Sequence, residues 1–216
     1  MINTQDQEEL LRLIADYLQE DLTCMAIGGT AMMFLGYKNT TKDIDLVFKT
    51  EAERRAFVHA IEQLGYKEKS LVALYDEKKR KMAGRPKIYS RGEERFDLFA
   101  RSVFGYDLDF DMTKIVQRLD FLGKHELIVY VVPKEELLLL KAITHREKDD
   151  EDIATIVKIE KTMNWDSIID KAIAQRWKNP WILIDLEEAM QKLKKLTFIP
   201  SKHFDKIYKV QHKREK

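Results

Sequence analysis

Apolar positions change period midway along the chain, and the change separates a mixed first half from a helical second half. Leu10, Leu11, Ile14 and Leu18 recur at helical spacing behind a capping pair, Thr4 and Gln7, so residues 5 to 20 predict an amphipathic helix. Residues 23 to 27 form a short apolar strand ending at Gly28 and Gly29. Ala31 to Leu35 has the length of a short helix, Gly36 to Lys42 reads as a loop, and Asp43 to Phe48 alternates as a strand. A helix over 51 to 64 stops at Gly65, and strands are expected near 66 to 76, 86 to 90 and 94 to 99. The basic segment Lys78 to Arg85 reads as a hairpin tip or loop.

A β-branched run, Glu126 to Val132, predicts a late strand, and Pro133 closes it and starts the next element. Everything after it has helical character: 134 to 145, 150 to 163, 166 to 177, 181 to 195 and 202 to 214. The expected organisation is an α/β part over 1–133 and a helical domain over 134–216. With neither an internal repeat nor a flexible linker, the two are expected to pack together. Trp165, Trp177 and Trp181 are expected to pack the helical part.

At 216 residues the chain can bury a proper core. The formal net charge of +1 excludes a global basic field for nucleic acid, so any such contact must be a local patch. One patch is visible near the C-terminus. Six basic residues, Lys202, Lys206, Lys209, Lys213, Arg214 and Lys216, stand against Asp205 and Glu215, a local +4 that suits either a phosphate backbone or a solvated helix end. Cys24 is the single cysteine, so no internal disulfide forms and the thiol reads as a buried strand residue. The start MINTQDQEELL lacks the regions of a signal peptide, and no apolar run approaches the roughly 18 residues of a membrane span. A soluble, cytoplasmic protein with no membrane partner is expected.

The chemistry concentrates between residues 25 and 48. Asp43 and Asp45, at i and i+2 of a strand, project to one face about 6 to 7 Å apart along the backbone, a spacing that suits a shared cation. Burying two bare negative charges is costly, and a divalent ion such as Mg²⁺ removes that cost. Asp97 interrupts the strand RFDLF, and if that strand pairs beside 43 to 48 the three acids converge. Upstream, Gly28 and Gly29 permit close backbone approach to phosphate at a helix start, and Thr30 adds a hydroxyl. Acids that hold metal facing a turn that holds phosphate are the apparatus of phosphoryl or nucleotidyl transfer.

Gly28-Gly29-Thr30, followed after the intervening segment by Asp43-Ile44-Asp45, resembles the signature of the nucleotidyltransferase superfamily with its polymerase-β-like fold. The variant is similar to that of the AbiEii-like and MenT-like toxins of toxin–antitoxin systems. Asp97 matches the third acid, and Lys141, Arg146, Asp149 and Asp152 resemble the AbiEii-like lysine, basic residue and Asp-x-x-Asp pair. Two positions depart: Asn39 stands where many relatives have arginine, and Leu98 where the AbiEii motif has a basic residue. The resemblance implies an α+β fold, a nucleotidyltransferase-like mixed β-sheet flanked by helices and followed by a helical C-terminal domain. It implies a Mg²⁺ (or Mn²⁺)-dependent enzyme moving a nucleoside monophosphate from an NTP to an acceptor hydroxyl.

In that implied site Asp43, Asp45 and Asp97 are catalytic and hold the metal, while Gly28, Gly29, Thr30, Lys141, Asp149 and Asp152 bind nucleotide. RNA, including the tRNA 3′ end, is the implied acceptor, beside a small-molecule or protein hydroxyl, and an antitoxin is an implied partner. A nucleotide needs a second wall, which the helix carrying Lys141 is expected to supply. On their own residue types, Asp149 or Asp150 also suits a helix N-cap, Asp152 a first-turn acid, and Lys141 a solvated end on a buried stem. His125 and His145 read as surface or packing residues. The alternative to an enzyme is a non-catalytic nucleotide-binding or protein-interaction module that keeps the fold.

Overall fold

The computed structural model describes residues 1–70, 81–111, 115 and 117–212. The chain divides into two compact units, Met1–Pro133 and Lys134–Lys216.

The first unit is built on a mixed sheet. Its strands are β1 (Ile2–Asn3), β2 (Leu22–Ala26), β3 (Thr40–Thr41), β4 (Asp43–Phe48), β5 (Lys67–Lys69), β6 (Lys87–Arg91), β7 (Glu94–Ala100), β8 (Ser102–Val103), β9 (Tyr106–Asp107), β10 (Arg118–Leu122) and β11 (Glu126–Val131). Among the described residues the main sheet runs β10-β11-β2-β4-β7-β6-β5, with β8 and β9 extending from β7. The pairs β11·β2 and β4·β7 are parallel, and the others along that path are antiparallel. Helices α1 (Thr4–Tyr17), α2 (Gly28–Phe34) and α3 (Glu51–Gln63) complete the unit.

Alternation along β4 and β7 decides which face does what. Ile44, Leu46 and Phe48, with Phe96 and Leu98, join Leu11 and Ile14 of α1 and Phe57 and Ile61 of α3 in one buried cluster. The Phe57 ring lies 5.2 Å from Phe48 and 5.7 Å from Phe96, centroid to centroid. Each such side chain contributes roughly 1.5–3 kcal/mol of burial. Because successive strand residues point oppositely, Asp43, Asp45, Arg95 and Asp97 are left on the other face.

Several expectations meet a different local structure. The cap of α1 is Asn3, whose side chain accepts from Asp6 N–H in a capping box, rather than the Thr4 and Gln7 pair. Within the expected loop over Gly36 to Lys42, Thr40–Thr41 pairs with Ile2–Asn3, a two-residue ladder too short to show a period. Strand β10 went unforeseen although Leu119 and Phe121 alternate toward the core; its exposed positions carry Arg118, Asp120 and Leu122, which mask the pattern. Most of the expected strand over 66 to 76, and part of the segment Lys78 to Arg85, lie outside the described residues. So does the end of the basic C-terminal stretch.

Among the described residues the regular elements of the second unit are helices: α4 (Lys134–Thr144), α5 (Glu147–Ile159), α6 (Trp165–Gln175), α7 (Ile182–Leu193) and α8 (Ser201–His212). Leu137, Leu138, Ile156, Ile168, Leu186 and Ile207 are buried. Buried Glu136 on α4 takes the Lys171 ammonium of α6 at 2.6 Å. Trp165 packs as expected, but Trp177 and Trp181 are 69% and 48% exposed. They sit in and beside the α6–α7 connection, outside the periodic stretches that face the interior, and the Arg176 guanidinium lies over the Trp177 ring. Among the described residues no helix is long and apolar enough to cross a membrane.

Candidate active site

Strands β4 and β7 run parallel with Asp45 opposite Asp97 and Asp43 opposite Arg95. Residues opposite each other in a parallel pair share a face, so three acids and one guanidinium form a compact two-by-two patch. Asp97 and Asp43 are buried, and Asp45 is half-buried.

The glycine turn grips this patch from the side. Gly28 opens α2 with φ +54°, a left-handed conformation that costs little only for glycine. Gly29 N–H donates to Asp45 Oδ2 at 2.9 Å, and Asp45 N–H donates to the buried Thr30 hydroxyl at 2.8 Å. A Cβ on Gly28 would stand 2.4 Å from Asp45 Oδ2, and one on Gly29 would stand 2.3 Å from Thr41 Oγ1. The absence of side chains at this turn is what lets Asp45 sit against it.

Arg95, which the sequence offers only as a basic neighbour able to pair with Asp45, is a participant whose partners are Asp43 and Asp97. Its guanidinium pairs with Asp43 Oδ2 through Nη2, and its Nε stands 2.9 Å from Asp97 Oδ1. A second link from Nη2 to Asp97 Oδ2 is long, at 3.5 Å. The signal was available: in ERFDLF the arginine precedes Asp97 by two, and on a strand that places it on the same face. Beside Arg95 and Asp43 opens a cavity of about 410 Å³, also lined by Lys42, Ser90, Glu93 and Glu94.

Among the described residues no group of three or more His, Cys, Asp or Glu donors closes around a metal-sized centre. The donor type is that of a hard cation, three carboxylates on one sheet face, one of them held by the glycine turn. Arg95 already supplies positive charge where two of those carboxylates would otherwise repel.

Lys141, Asp149 and Asp152 come together with one another in the second unit. Lys141 Nζ donates to Asp149 Oδ1 at 3.1 Å and to Asp152 Oδ2 at 2.5 Å, and all three residues are buried. Lys141 is thus no solvated end. The N-cap of α5 is Arg146, with Asp149 at the third helical position accepting Arg146 N–H at 3.1 Å, which corrects the expectation of Asp149 or Asp150 at the cap. Burial pushes the Asp149 carboxyl up, but the Lys141 ammonium, the Arg146 guanidinium and the Thr144 hydroxyl outweigh it and hold it well below the usual carboxylate range. Cys24 is fully buried, and burial together with nearby Glu53 raises its thiol pKa far above the ordinary value, so it is not a nucleophile. His125 faces Asp21 and His145 faces Glu188, each at 3.5 Å.

No protein-family profile matches the chain. No curated protein matches it either. Among solved structures the chain is similar to ANT(2")-Ia, in the crystal structure of its complex with adenylyl-2"-tobramycin. The TM-score is 0.46 and the identity 15%, over 79% of this chain and 97% of that one.

Proposed function

We propose that the protein is a nucleotidyltransferase that moves a nucleoside monophosphate from an NTP to an acceptor hydroxyl. One observation carries this: Asp43, Asp45 and Asp97 lie on one face of adjacent strands, with Asp45 hydrogen-bonded to a Gly-Gly turn. The motif resemblance supports the same class.

Asp43, Asp45 and Asp97 would hold Mg²⁺ or Mn²⁺. Bound there, the ion supplies Lewis-acid polarisation of phosphate oxygens and makes an acceptor hydroxyl more acidic. Gly28 and Gly29 lack side chains so that the Asp45 carboxylate and the Thr41 hydroxyl can pack against the turn, and Thr30 contributes by fixing the Asp45 backbone; their proposed part in holding phosphate stands on the resemblance. In the transfer the acceptor oxygen bonds to the α-phosphorus while the α–β anhydride bond breaks and pyrophosphate leaves. Asp97 is the carboxylate we assign to receive the hydroxyl proton. Lys141, Asp149 and Asp152 stand as proposed nucleotide-binding residues on the resemblance alone, with Lys141 offsetting phosphate charge. On the same ground RNA, including the tRNA 3′ end, is the proposed acceptor, an antitoxin a proposed partner and the cytoplasm the proposed location.

A second reading, a non-catalytic nucleotide-binding or interaction module, is favoured by Arg95, which satisfies two of the acids internally. Asp45→Asn separates the two. Asparagine keeps an oxygen for Gly29 N–H but lacks the charge that holds a hard cation, so transfer and the Mg²⁺-dependent thermal shift with NTP should both vanish while the fold persists. Transfer is read on a gel after incubating each labelled NTP with total RNA. A wild type showing neither label transfer nor a metal-dependent shift, beside a variant that melts markedly lower, would overturn the nucleotidyltransferase proposal.

A further inference from the structure

We infer that Arg95 is a positioning residue that occupies the cation position of the acidic patch and sets its affinity for divalent ions. The inference rests on the nucleotidyltransferase reading of that patch and concerns a residue outside the motif that suggested it.

Position is the first ground. Arg95 is the register partner of Asp43 and lies two residues before Asp97, so its stem rises from the same face between the two carboxylates it bridges. Any ion that takes oxygens from both Asp43 and Asp97 meets this guanidinium. Two positive charges cannot share those oxygens at close range, so metal and guanidinium compete for them.

The second ground is that the competition is one the arginine can lose. Its close contact is with Asp43, through Nη2, and its tie to Asp97 is weaker, an ionic contact at 2.9 Å without hydrogen-bond alignment plus one long bond of 3.5 Å. The side chain is 22% exposed, so its charge is less desolvated than that of Asp97. It also has somewhere to go. The cavity alongside is lined by Ser90 and Glu93 as well as by Arg95 itself, and these oxygens can receive a displaced guanidinium, while the Glu94 carboxylate is held by Tyr66 and Arg91.

In the metal-free protein Arg95 keeps Asp43 and Asp97 apart in charge terms, so the acids do not force the strands open. With a divalent ion held by Asp43 and Asp97, the Arg95 guanidinium would turn out into the cavity and the ion would supply the neutralisation in its place. The site therefore binds metal more weakly than three bare carboxylates would, and fills above a threshold concentration that Arg95 sets.

The test is calorimetric titration of the full chain with MnCl₂, on wild type, Arg95→Met and Arg95→Lys. Methionine keeps much of the apolar stem and removes the competing charge, so Mn²⁺ affinity should rise about five- to tenfold, the scale of one charge-assisted contact at a partly exposed position. Lysine keeps a charge without the fork and should fall between. The metal-free melting temperature of Arg95→Met should drop and recover with Mn²⁺, whereas an arginine that only braces the strands would leave the drop uncorrected. A direct reading on wild type covers poor folding of the variants: the Arg95 Nε–H resonance should shift on titration with diamagnetic Mg²⁺. Unchanged Mn²⁺ affinity in Arg95→Met, or an Arg95 resonance indifferent to Mg²⁺ while the protein binds the ion, would overturn the inference and leave the enzyme reading standing. Absence of metal binding in wild type and all variants would overturn both.

Discussion

A methyl group added at Gly28 would stand 2.4 Å from Asp45 Oδ2 on a backbone at φ +54°, so two separate penalties fall on one atom. Left-handed strain for a residue with Cβ costs about 1–2 kcal/mol, and displacing Asp45 adds the loss of its bond from Gly29 N–H, about 1–3 kcal/mol. Gly28→Ala should therefore lower the urea midpoint and abolish metal binding together. Gly36 supplies the control: its φ is +76°, yet nothing lies within 4 Å of an added Cβ, so Gly36→Ala should show the strain cost alone and leave metal binding intact. If the two variants behave alike, the turn is structural only. The glycines were visible in the sequence because residue type and position before a helix suffice to suggest a bare turn. Arg95, offered by the sequence as a neighbour of Asp45, makes its ionic contacts with Asp43 and Asp97 instead, for the opposite reason. An arginine in a strand is ordinary until the register with β4 shows what stands across from it, and register is not written locally.

At the level of elements, short-range periodicity was the dependable guide. Strand β4 was readable at Asp43–Phe48, and helix α3 within one residue of its end, because caps and alternation act over a few residues. The short ladders β1·β3 and β8·β9 depend on partners brought by the fold and carry no period of their own. The start of α5 is instructive. The sequence offers five acids within six residues, and the choice of cap fell on Arg146 because Asp149 is drawn to Lys141, Arg146 and Thr144 at once. That arrangement has a pH signature. The folded-state pKa of Asp149 lies below the unfolded value of about 3.9, so its contribution is fully present above that pH and fades as pH falls through the folded value. Asp149→Asn should cost about 1.5–3 kcal/mol at neutral pH and flatten the stability profile below about pH 4. Urea denaturation across pH 2 to 7 measures it, and parallel profiles for variant and wild type would refute the assignment.

On the scale of the whole molecule, the change from mixed to all-helical pattern around Pro133 coincides with the division between two compact units. The central hydrophobic cluster of the first unit draws its residues from Ile2 to Val129, and Asp43, Asp45, Asp97, Arg95 and the glycine turn all belong to that same unit. Its stability and its proposed cation site should therefore not require residues from 134 onward. A chain ended at Pro133 is expected to melt in one cooperative transition by circular dichroism and to bind Mn²⁺ with an affinity within about threefold of the full chain. Lys141, Asp149 and Asp152 pair within the helical unit, so their proposed part in nucleotide binding would appear as weaker NTP binding by the truncated chain at unchanged Mn²⁺ affinity. Equal NTP affinity in both chains would remove those three residues from the site, and a truncated chain that fails to fold would show that the first unit depends on the second.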